Sequence, residues 1–475
     1  MKTYTTNKKQ NIISKAGGWL FVCLFWIVAW YALAMIVSNT LLLPSPKETV
    51  IALGLLLGQK KFYLDVSWTI LRCILAMVLS FAAGAVGAAA AYKSRWIRRI
   101  LTLPVSFFKA VPVMAVVIYV ILLLESNWVA VAACFLMCFP IVYTNLLAGL
   151  DSCDRELLEV ARIYGLSAFR TASLIYFPWI QPQIKAAVKL ISGLSWKAVV
   201  AAEVLSIPKH SLGYGMINAK YYLETEQLFA YIAVIVILSM TMEKCINQWI
   251  EKKGQCGYKG SRLASGASDT SPNDDSYRQD PVELCNLTKS FGEKKVLEGF
   301  SAAIEPGKTT CISGPSGVGK TTVARIIAGL ERADEGTVEG ASDKRVAYLF
   351  QEDRLLPWLN VYDNLALSMI GEGRYIKDGE VVAMAESLGI GDNLWQLPDQ
   401  LSGGKRHRVA LGRTLLADAE IVILDEPFRG LDKERKESIV NKLYDRYIEG
   451  KTLILISHND EDKELLKTEK TYFVQ

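Results

Sequence analysis

Long apolar segments in the first half of the chain constrain its fold more than any other feature. A helix needs roughly 20 apolar residues to cross the hydrocarbon core of a bilayer, with a usual range of about 17 to 25. Six segments of the 475-residue chain meet this requirement, namely residues 17–37, 70–92, 104–124, 128–149, 186–206 and 228–250. The sequence therefore predicts an all-α membrane domain of six spans and excludes a disordered chain.

Basic residues near the ends of these segments predict the orientation of the domain. Lys and Arg cluster before the first segment and after the second, the fourth and the sixth. Cytoplasmic loops of membrane proteins carry this excess of basic residues. The pattern predicts a multi-pass membrane protein with both termini in the cytoplasm, in agreement with an even number of spans.

The balance of charge divides the chain into two chemically different halves. Up to residue 253 there are 24 Lys and Arg against 12 Asp and Glu, and beyond it 29 against 36. The basic residues lie scattered between apolar segments, not on one face with interleaved aromatic residues, so no nucleic acid is expected as a partner. Residues 254–280 are rich in Gly, Ser and Asp, which is typical of a flexible linker. We predict domains at 1–253 and 281–475, joined by this linker.

Short β-branched runs in the second half predict a largely parallel α/β sheet. Helical patterns separate four of them, at residues 309–313, 347–350, 421–424 and 452–456. A glycine or polar residue stands just beyond each run, in chain order Gly314, Gln351, Asp425 with Glu426, and His458. Ligands of such sheets bind at the carboxyl ends of the strands, so we expect these residues to converge on one site.

A glycine-rich loop follows the first of these runs. Residues 314–322, GPSGVGKTT, fit the phosphate-binding pattern G-x-x-x-x-G-K-[ST] between a predicted strand and a predicted helix. Glycines let backbone N–H groups surround phosphates, and the start of a helix favours negative charge. Lys320 is expected to contact the outer phosphates of ATP, and the Thr321 hydroxyl to bind Mg²⁺. The other predicted nucleotide contacts of the loop are Gly314, Ser316, Gly317, Gly319 and Thr322.

A phosphate-binding loop alone is compatible with a kinase or a GTPase, and later motifs distinguish these classes. LSGGK at 401–405 is followed by ILDEP at 423–427. This arrangement resembles the signature and Walker B segments of ABC ATPases, and the order of the remaining motifs agrees with that family. The stretch FQEDRLLPWLNVYDNLAL at 350–367 is further similar to the ATPases of the nitrate/sulfonate/taurine group of importers.

The resemblance implies a role for each matching residue. Glu426 polarises the attacking water, since phosphoryl transfer depends on placement and charge compensation. Mg²⁺ is implied to be held by Asp425, Thr321 and Gln351. Gln351 and His458 are implied to contact the γ-phosphate, which makes Glu426, His458 and Gln351 the expected catalytic set. Further nucleotide contacts are implied for an aromatic residue, the signature and the D-loop, namely Phe291, Ser402, Gly403, Gly404 and Asp432.

Two signature residues depart from the family pattern. Lys405 replaces the usual Gln or Met, and His407 stands where Gln is common. Lys405 adds a cation close to phosphate, so we expect nucleotide binding to persist and the rate of hydrolysis to change.

The polar stretch 151–183 predicts two short helices with a turn at Gly165. It resembles the EAA loop of bacterial ABC import permeases at Glu159, Val160, Ala161, Gly165, Phe177 and Pro178, with Val160 in place of the usual Ala. A compact helical pair of this kind can seat in a groove of an ATPase and transmit motion as a rigid body. Residues 41–50 and 196–217 extend the likeness to permeases of the nitrate/sulfonate/taurine group, over nearly all of residues 17–250.

Two ionisable residues, Lys197 and Glu203, lie in the fifth predicted span. Each costs at least ~2.5 kcal/mol at membrane depth, so both are expected to face the bundle interior or water. Their separation of six residues makes a direct pair within the helix improbable. Two interpretations stay open, a lining of the solute pathway and a structural contact with a neighbouring span.

Together the resemblances imply a multi-domain membrane protein, the six-helix transmembrane domain of a type I ABC importer followed by an α/β P-loop ATPase. One phosphate-binding loop and one signature per chain imply a homodimer. With ATP and Mg²⁺ it would import a small solute across the bacterial cytoplasmic membrane, delivered by an external substrate-binding protein.

Two alternative classes stay open. An ABC exporter half-transporter also joins six spans to an ATPase, although its long cytoplasmic helices are not matched by the short loops here. A membrane-tethered regulatory ATPase would need no solute pathway. The solute itself is open, because nitrate, sulfonates, taurine and pyrimidine vitamin precursors pass through similar permeases.

Overall fold

The computed structural model describes residues 21–22, 24–255, 280–315, 317–374, 376 and 378–474. Its contacts divide the chain into two compact units. The first comprises Met1–Ser152 and Trp179–Gln255, and the second comprises Cys153–Pro178 and Cys256–Gln475. The EAA-like stretch therefore belongs to the same unit as the carboxyl-terminal half. Most of the predicted linker, residues 256–279, lies outside the described residues.

The described part of the first unit is built from helices alone. They are α1 (Leu24–Val37), α2 (Pro46–Leu57), α3 (Lys60–Lys93), α4 (Arg95–Ala110), α5 (Val113–Leu123) and α6 (Ser126–Asp151) and, further along the chain, α9 (Phe177–Ser206), α10 (Leu212–Tyr221) and α11 (Thr225–Gln255). Local sequence fixes several ends. A reciprocal capping box between Ser45 and Glu48 begins α2, because it satisfies backbone N–H groups that have no partner within the helix.

The apolar helices match the predicted spans unequally. Among the described residues, α3, α6 and α11 are each long and apolar enough to cross a membrane. The pair α4 and α5 passes the same test together but bends by 111°, so the count reaches four if this pair is one span. Helix α9 covers the fifth predicted span and carries ionisable residues, and α1 is a shorter apolar helix. The total of six spans stays a prediction.

Helices α3 and α6 form the centre of the first unit, and small residues let them approach closely. Ala76 and Ala88 on α3 are fully buried, as are Ala133 and Cys134 on α6. A Cβ atom on Gly84 would lie 2.7 Å from Val142 Cγ1, closer than carbon atoms can pack. Glycine at this position therefore sets the distance between the two helices.

A buried ion pair joins α9 to α3. The Arg72 guanidinium donates to Glu203 Oε1 at 2.9 Å, and the Thr69 hydroxyl donates to Glu203 Oε2 at 2.9 Å. Of the two interpretations of Glu203, the structure supports contact with a neighbouring helix, and Glu203 is fully buried. Lys197 is instead exposed on the surface of the first unit. Arg72 and Glu203 are 131 positions apart, so no local sequence pattern indicates that they form a pair.

Two sheets form the frame of the second unit. The strands are β1 (Val282–Phe291), β2 (Lys294–Ile304), β3 (Thr309–Ser313), β4 (Glu335–Glu339), β5 (Val346–Leu349), β6 (Ile421–Asp425), β7 (Thr452–Ile456) and β8 (Lys470–Phe473). A three-stranded antiparallel sheet has the order β2-β1-β4, and a five-stranded sheet has the order β5-β6-β7-β3-β8. Every pairing in the larger sheet is parallel, as the sequence predicts.

Helices connect and cover the strands of the second unit. They are α7 (Arg155–Ile163), α8 (Ala168–Thr171), α12 (Lys320–Ile327), α13 (Val361–Gly371), α14 (Asp378–Ser387), α15 (Gly403–Leu415), α16 (Lys433–Leu443) and α17 (Asp460–Leu465). Strands β3, β6 and β7 are buried along their whole length, which explains their continuous apolar runs. The four predicted strands differ from the observed ones by one residue at most.

The EAA-like stretch forms the predicted turn but not a separate second helix. Gly165, with φ of +64°, follows α7 and ends it in the left-handed conformation that glycine adopts most readily. Helix α8 then continues through a π-helical turn, Ala172–Tyr176, directly into α9. Phe177 and Pro178 are therefore the first residues of α9, directly after the π-helical turn.

Candidate functional site

The carboxyl ends of four neighbouring strands meet at one edge of the parallel sheet. Gln351 lies two residues beyond β5, Asp425 ends β6, His458 lies two residues beyond β7, and Gly314 directly follows β3. Because β5, β6, β7 and β3 are adjacent and parallel, these positions share one edge. The predicted convergence of the strand ends is thus present in the fold.

The glycine-rich loop leads from β3 into α12 through backbone conformations that glycine favours. Gly314, Gly317 and Gly319 have φ of 148°, 82° and 108°. A Cβ on Gly319 would lie 2.8 Å from the Val296 carbonyl oxygen, so a side chain there would clash with β2. The Lys320 ammonium donates to the carbonyl oxygens of Gly314 and Pro315 at 2.8 and 2.6 Å. Ser316 lies outside the described residues.

Asp425 and Thr321, two of the predicted Mg²⁺ ligands, contact each other. The Thr321 hydroxyl donates to Asp425 Oδ2 at 3.0 Å, and Asp425 is 2% exposed. Burial raises the pKa of Asp425 to about 6, and the charges of Glu426 and Glu352 act in the same direction. A buried carboxylate beside a hydroxyl is a donor set that fits a hard divalent cation. A bound cation would also compensate for the cost of burying this charge.

Lys320 is 7% exposed at the start of α12. Burial lowers the pKa of Lys320, and the nearby charges of Asp425 and Glu426 oppose this shift. The residue that completes the loop, Thr322, follows within the first turn of α12. The start of the helix thus holds an ammonium group and backbone N–H groups that have no partner within the helix, an arrangement suited to phosphate.

Glu426 follows β6 with an unusual backbone conformation. Its φ of 52° is left-handed, and its N–H donates to the Ile456 carbonyl of β7 at 2.8 Å. A non-glycine residue in this region is uncommon and is maintained by surrounding contacts. Here the bond to β7 is one of the contacts that hold this backbone conformation.

The other predicted site residues occupy exposed positions. Gln351 and His458 are exposed at the sheet edge, and Phe291 is 51% exposed at the end of β1, with the Lys289 ammonium 5.3 Å from its ring centroid. Asp432 caps α16, where its carboxylate accepts from the Arg435 N–H at 2.9 Å. The roles of these residues toward nucleotide remain predictions.

The signature segment forms the start of α15. Ser402 is the N-cap residue but its hydroxyl does not bond to the helix, and Gly403 and Gly404 form the first turn. The Lys405 ammonium donates to Asn393 Oδ1 at 2.9 Å. This residue, which departs from the family pattern, therefore has a partner within its own domain.

Glu159 of α7 forms ion pairs with two elements of the carboxyl-terminal half. Its carboxylate accepts from both terminal nitrogens of Arg325 on α12 at 2.6 and 2.9 Å, and from Arg354 at 2.6 Å. Burial alone would raise the pKa of Glu159, but the bonds from the two guanidinium groups lower it. Bidentate pairs of this kind are among the strong ones, so Glu159 is firmly held.

The rest of the EAA-like stretch seats against α13, α15 and the segment that follows β5. The Tyr164 hydroxyl lies 3.2 Å from the Thr414 hydroxyl, and the Trp358 indole donates to the Leu174 carbonyl at 2.7 Å. A Cβ on Gly371 would overlap the Tyr164 carbonyl oxygen. The Arg170 guanidinium also donates to the Ile370 carbonyl of α13. The stretch thus occupies a groove that only glycine at position 371 leaves open.

Sequence reasoning missed the residues that form this groove, chiefly Arg325, Arg354, Trp358 and Gly371. Their partners lie more than 150 positions away in the chain, as the Glu159–Arg325 separation of 166 shows. No local pattern marks such a pair. The one available signal was Glu159 itself, an acidic residue whose family counterpart defines the EAA loop.

The fold and the site define a P-loop ATPase unit that holds a segment of a membrane permease. Residues 297–429 match a family model described as "ABC transporter", and residues 83–253 match one described as "Binding-protein-dependent transport system inner membrane component". The chain therefore belongs to the ABC transporter family, with a permease and an ATPase fused in one multi-pass membrane protein.

Curated relatives match the ATPase half. An aliphatic sulfonates import ATP-binding protein of Xanthomonas axonopodis pv. citri is 38% identical over 188 residues, which cover 38% of this chain and 62% of that relative. The Rhodococcus jostii protein of the same name is 36% identical, over 38% of this chain and 74% of its own length. This chain thus spans less than two thirds of the Xanthomonas relative.

Solved structures also align with this half. A dimeric ATP-binding cassette in a post-hydrolysis state with ADP and Pi is 27% identical, covering 41% of this chain and 94% of its own, with a TM-score of 0.38.

Proposed function

We propose that this protein couples ATP hydrolysis to import of a small solute across the bacterial cytoplasmic membrane. One observation carries the proposal. A segment within the permease match, at Glu159, is ion-paired to α12, the helix that begins at the phosphate-binding loop. A change at the nucleotide site that moves α12 also moves its partner in the permease. The ion pair is therefore suited to transmit force between chemistry and transport.

The chemistry is assigned by position at the sheet edge. Lys320 and the N–H groups of the loop bind the phosphates of ATP, and Glu426 polarises the water that attacks the γ-phosphate. Gln351 and His458, at the ends of the flanking strands, contact the same phosphate. Asp425, Thr321 and Gln351 would hold Mg²⁺, which supplies charge neutralisation.

A homodimer completes the site. Each chain has one phosphate-binding loop and one signature, and the Ser402 hydroxyl at the start of α15 is not used to cap its own helix. The exposed N-terminus of α15 is suited to the γ-phosphate of ATP held by a second copy. Phe291 would stack on adenine, and Asp432 would lie near the nucleotide at the dimer contact.

Solute selection belongs to an external binding protein. With both termini in the cytoplasm, the segments between the first and second predicted spans and between the fifth and sixth face outward. These segments, residues 38–69 and 207–227, are too short to form a domain of usual size. The relatives that match the ATPase half are named for import of aliphatic sulfonates, and Lys197 places an exposed positive charge on α9. We assign a small organic anion as the solute class and Lys197 as a residue of its pathway.

The proposed orientation of the chain has both termini in the cytoplasm.

Purified full chain in proteoliposomes tests this function. Ethanesulfonate is the probe, and a binding protein encoded beside this gene is added opposite the ATPase face. Hydrolysis is expected to rise, with ethanesulfonate accumulating on the ATPase side. Movement away from the ATPase side would favour an exporter. Stimulation without any partner would likewise contradict import through a binding protein, and hydrolysis without transport of any tested anion would favour a regulatory ATPase.

A further inference from the structure

His407 occupies a buried position between two catalytic segments. It lies on α15, four residues after the helix begins, and is 5% exposed. Its Nδ1 lies 3.1 Å from Asp353 Oδ1, in the segment that follows Gln351. Its Nε2 lies 3.2 Å from the carbonyl oxygens of Glu426 and Pro427, on the other side of the ring. The imidazole therefore bridges the segment after β5 and the turn after β6.

Among the described residues, the polar contacts of the ring are all hydrogen-bond acceptors, a carboxylate beside Nδ1 and two carbonyl groups beside Nε2. A ring nitrogen that carries a proton can donate to the acceptor that it faces. The backbone oxygen of Glu426 is held by His407, while the N–H of the same residue is held by β7. The left-handed conformation of Glu426 is thus fixed from both directions. Removing one of these bonds would let the turn relax and the carboxylate of Glu426 change direction.

The Asp353 side of the bridge is also held in place. The Arg413 guanidinium of α15 donates to the carbonyls of Asp353 and Arg354 at 3.2 and 2.9 Å. The Arg406 guanidinium lies 3.6 Å from the other carboxylate oxygen of Asp353. These contacts attach the segment to α15. His407, on the same helix, contacts both this segment and the carbonyl oxygen of Glu426.

We propose that His407 is a positioning residue for hydrolysis, which sets the direction of the Glu426 carboxylate through its bridge to Asp353. This inference rests on the proposed ATPase function and adds to it. The family pattern supplies a matched variant, because Gln is common at this position. A carboxamide NH₂ has two donors and can bond to a carbonyl and a carboxylate, whereas alanine can make neither bond.

Steady-state ATP hydrolysis by the purified full chain tests the proposal. His407→Ala is expected to lower kcat about tenfold and to leave KM for ATP within about twofold, because orientation and not nucleotide binding is lost. His407→Gln should return kcat to within about threefold of the unsubstituted protein. Arg345→Ala is the control and should leave kcat unchanged, because its guanidinium bonds to Asp418 just before β5 begins, at the end of the parallel sheet opposite the phosphate-binding loop.

A double-mutant cycle separates positioning from packing. Asp353→Ala alone should lower kcat, and adding it to His407→Ala should cause little further loss, because each substitution removes the same bridge. Additive losses, an unchanged kcat in His407→Ala or a failure of Gln to restore it would each overturn the proposal. A chain without ATPase activity before substitution would instead overturn the proposed function itself. Thermal unfolding of each variant distinguishes loss of fold from loss of orientation.

Discussion

At the scale of single residues, the backbone of Glu426 is contacted on two sides, since its N–H donates to the Ile456 carbonyl at 2.8 Å and its carbonyl oxygen lies 3.2 Å from His407 Nε2. The phosphate-binding motif predicts the role of Lys320, and the resemblance to ABC ATPases implies the roles of Asp425 and Glu426. Asp425 and Thr321 were both expected to bind Mg²⁺, but a direct hydrogen bond between them was not predicted. The bridge from His407 to Asp353 and Glu426 was not expected, since it joins three distant segments.

Glu426→Gln separates hydrolysis from binding. The substitution removes the group that polarises water and preserves size, so hydrolysis should fall on the order of 10²-fold or more. ATP affinity should remain, and measuring both in the same purified protein checks the assignment. Lys320→Ala should weaken ATP binding itself. Undiminished turnover in the Glu426 variant would remove this residue from the mechanism.

The burial of Asp425 predicts a dependence on pH. Its pKa is raised to about 6 from an ordinary value of 3.8, so the folded state holds this proton more tightly than the unfolded state does. The free energy of unfolding is therefore highest, as far as Asp425 is concerned, below about pH 4, and this contribution is lost as pH rises through about 6. At pH 7.5 without Mg²⁺, Asp425→Asn should therefore raise the unfolding temperature of the ATPase unit by a few degrees.

Mg²⁺ provides the control for this experiment. Binding of the cation to an ionised carboxylate should raise the unfolding temperature of the unsubstituted protein and not that of Asp425→Asn. The Mg²⁺ effect should weaken as pH falls below about 6, where the carboxyl is protonated. Equal stabilisation of the two proteins by Mg²⁺ would remove Asp425 from the metal site.

At the scale of elements, strands were predicted more closely than helices. Buried strands are short apolar runs with clear ends, so β3, β6 and β7 lie where the sequence places them. The EAA-like stretch was predicted as two helices, but α8 continues into α9 because nothing at Ala172–Tyr176 interrupts the backbone. The groove that receives α7 depends on contacts across the chain, and no local pattern contains them.

Gly371→Ala tests whether this groove needs glycine. A Cβ there would overlap the Tyr164 carbonyl oxygen, so the EAA-like stretch must move away. Hydrogen exchange in residues 153–178 should accelerate at least about tenfold, while the strands of the ATPase sheet keep their protection. Gly379→Ala is the matched control, because a Cβ on Gly379 would meet no atom within 4 Å and the backbone there is not left-handed. Equal exchange in both variants would contradict the groove.

At the scale of the whole molecule, the division of charge and of apolar content predicts two halves, and the structure divides the chain differently in one respect. The EAA-like stretch is part of the permease in sequence and part of the ATPase unit in contacts. Composition does not indicate which unit the stretch belongs to, because a polar segment between two spans has the same composition whether or not it contacts the ATPase. The domain boundaries at 1–253, 254–280 and 281–475 stay a prediction on this account.

Mixed dimers test the composite site. Lys320→Ala and Ser402→Arg should each abolish hydrolysis, one through the phosphate-binding loop and the other through the signature. Mixing the two chains should restore part of the activity, because one site of the mixed dimer then combines an intact loop with an intact signature from the other chain. Two copies of either variant alone serve as controls. Mixtures without any recovery would contradict a site shared between chains.

The central claim is that the docked segment couples hydrolysis to import, and the amount of solute moved per ATP hydrolysed measures it directly. In proteoliposomes with ethanesulfonate and its binding protein, Glu159→Ala should hydrolyse ATP while accumulation per ATP falls at least about tenfold, since the pair to α12 is lost. Arg155→Ala, exposed on the same helix, should retain the ratio of the unsubstituted protein. An unchanged ratio in Glu159→Ala would contradict the account.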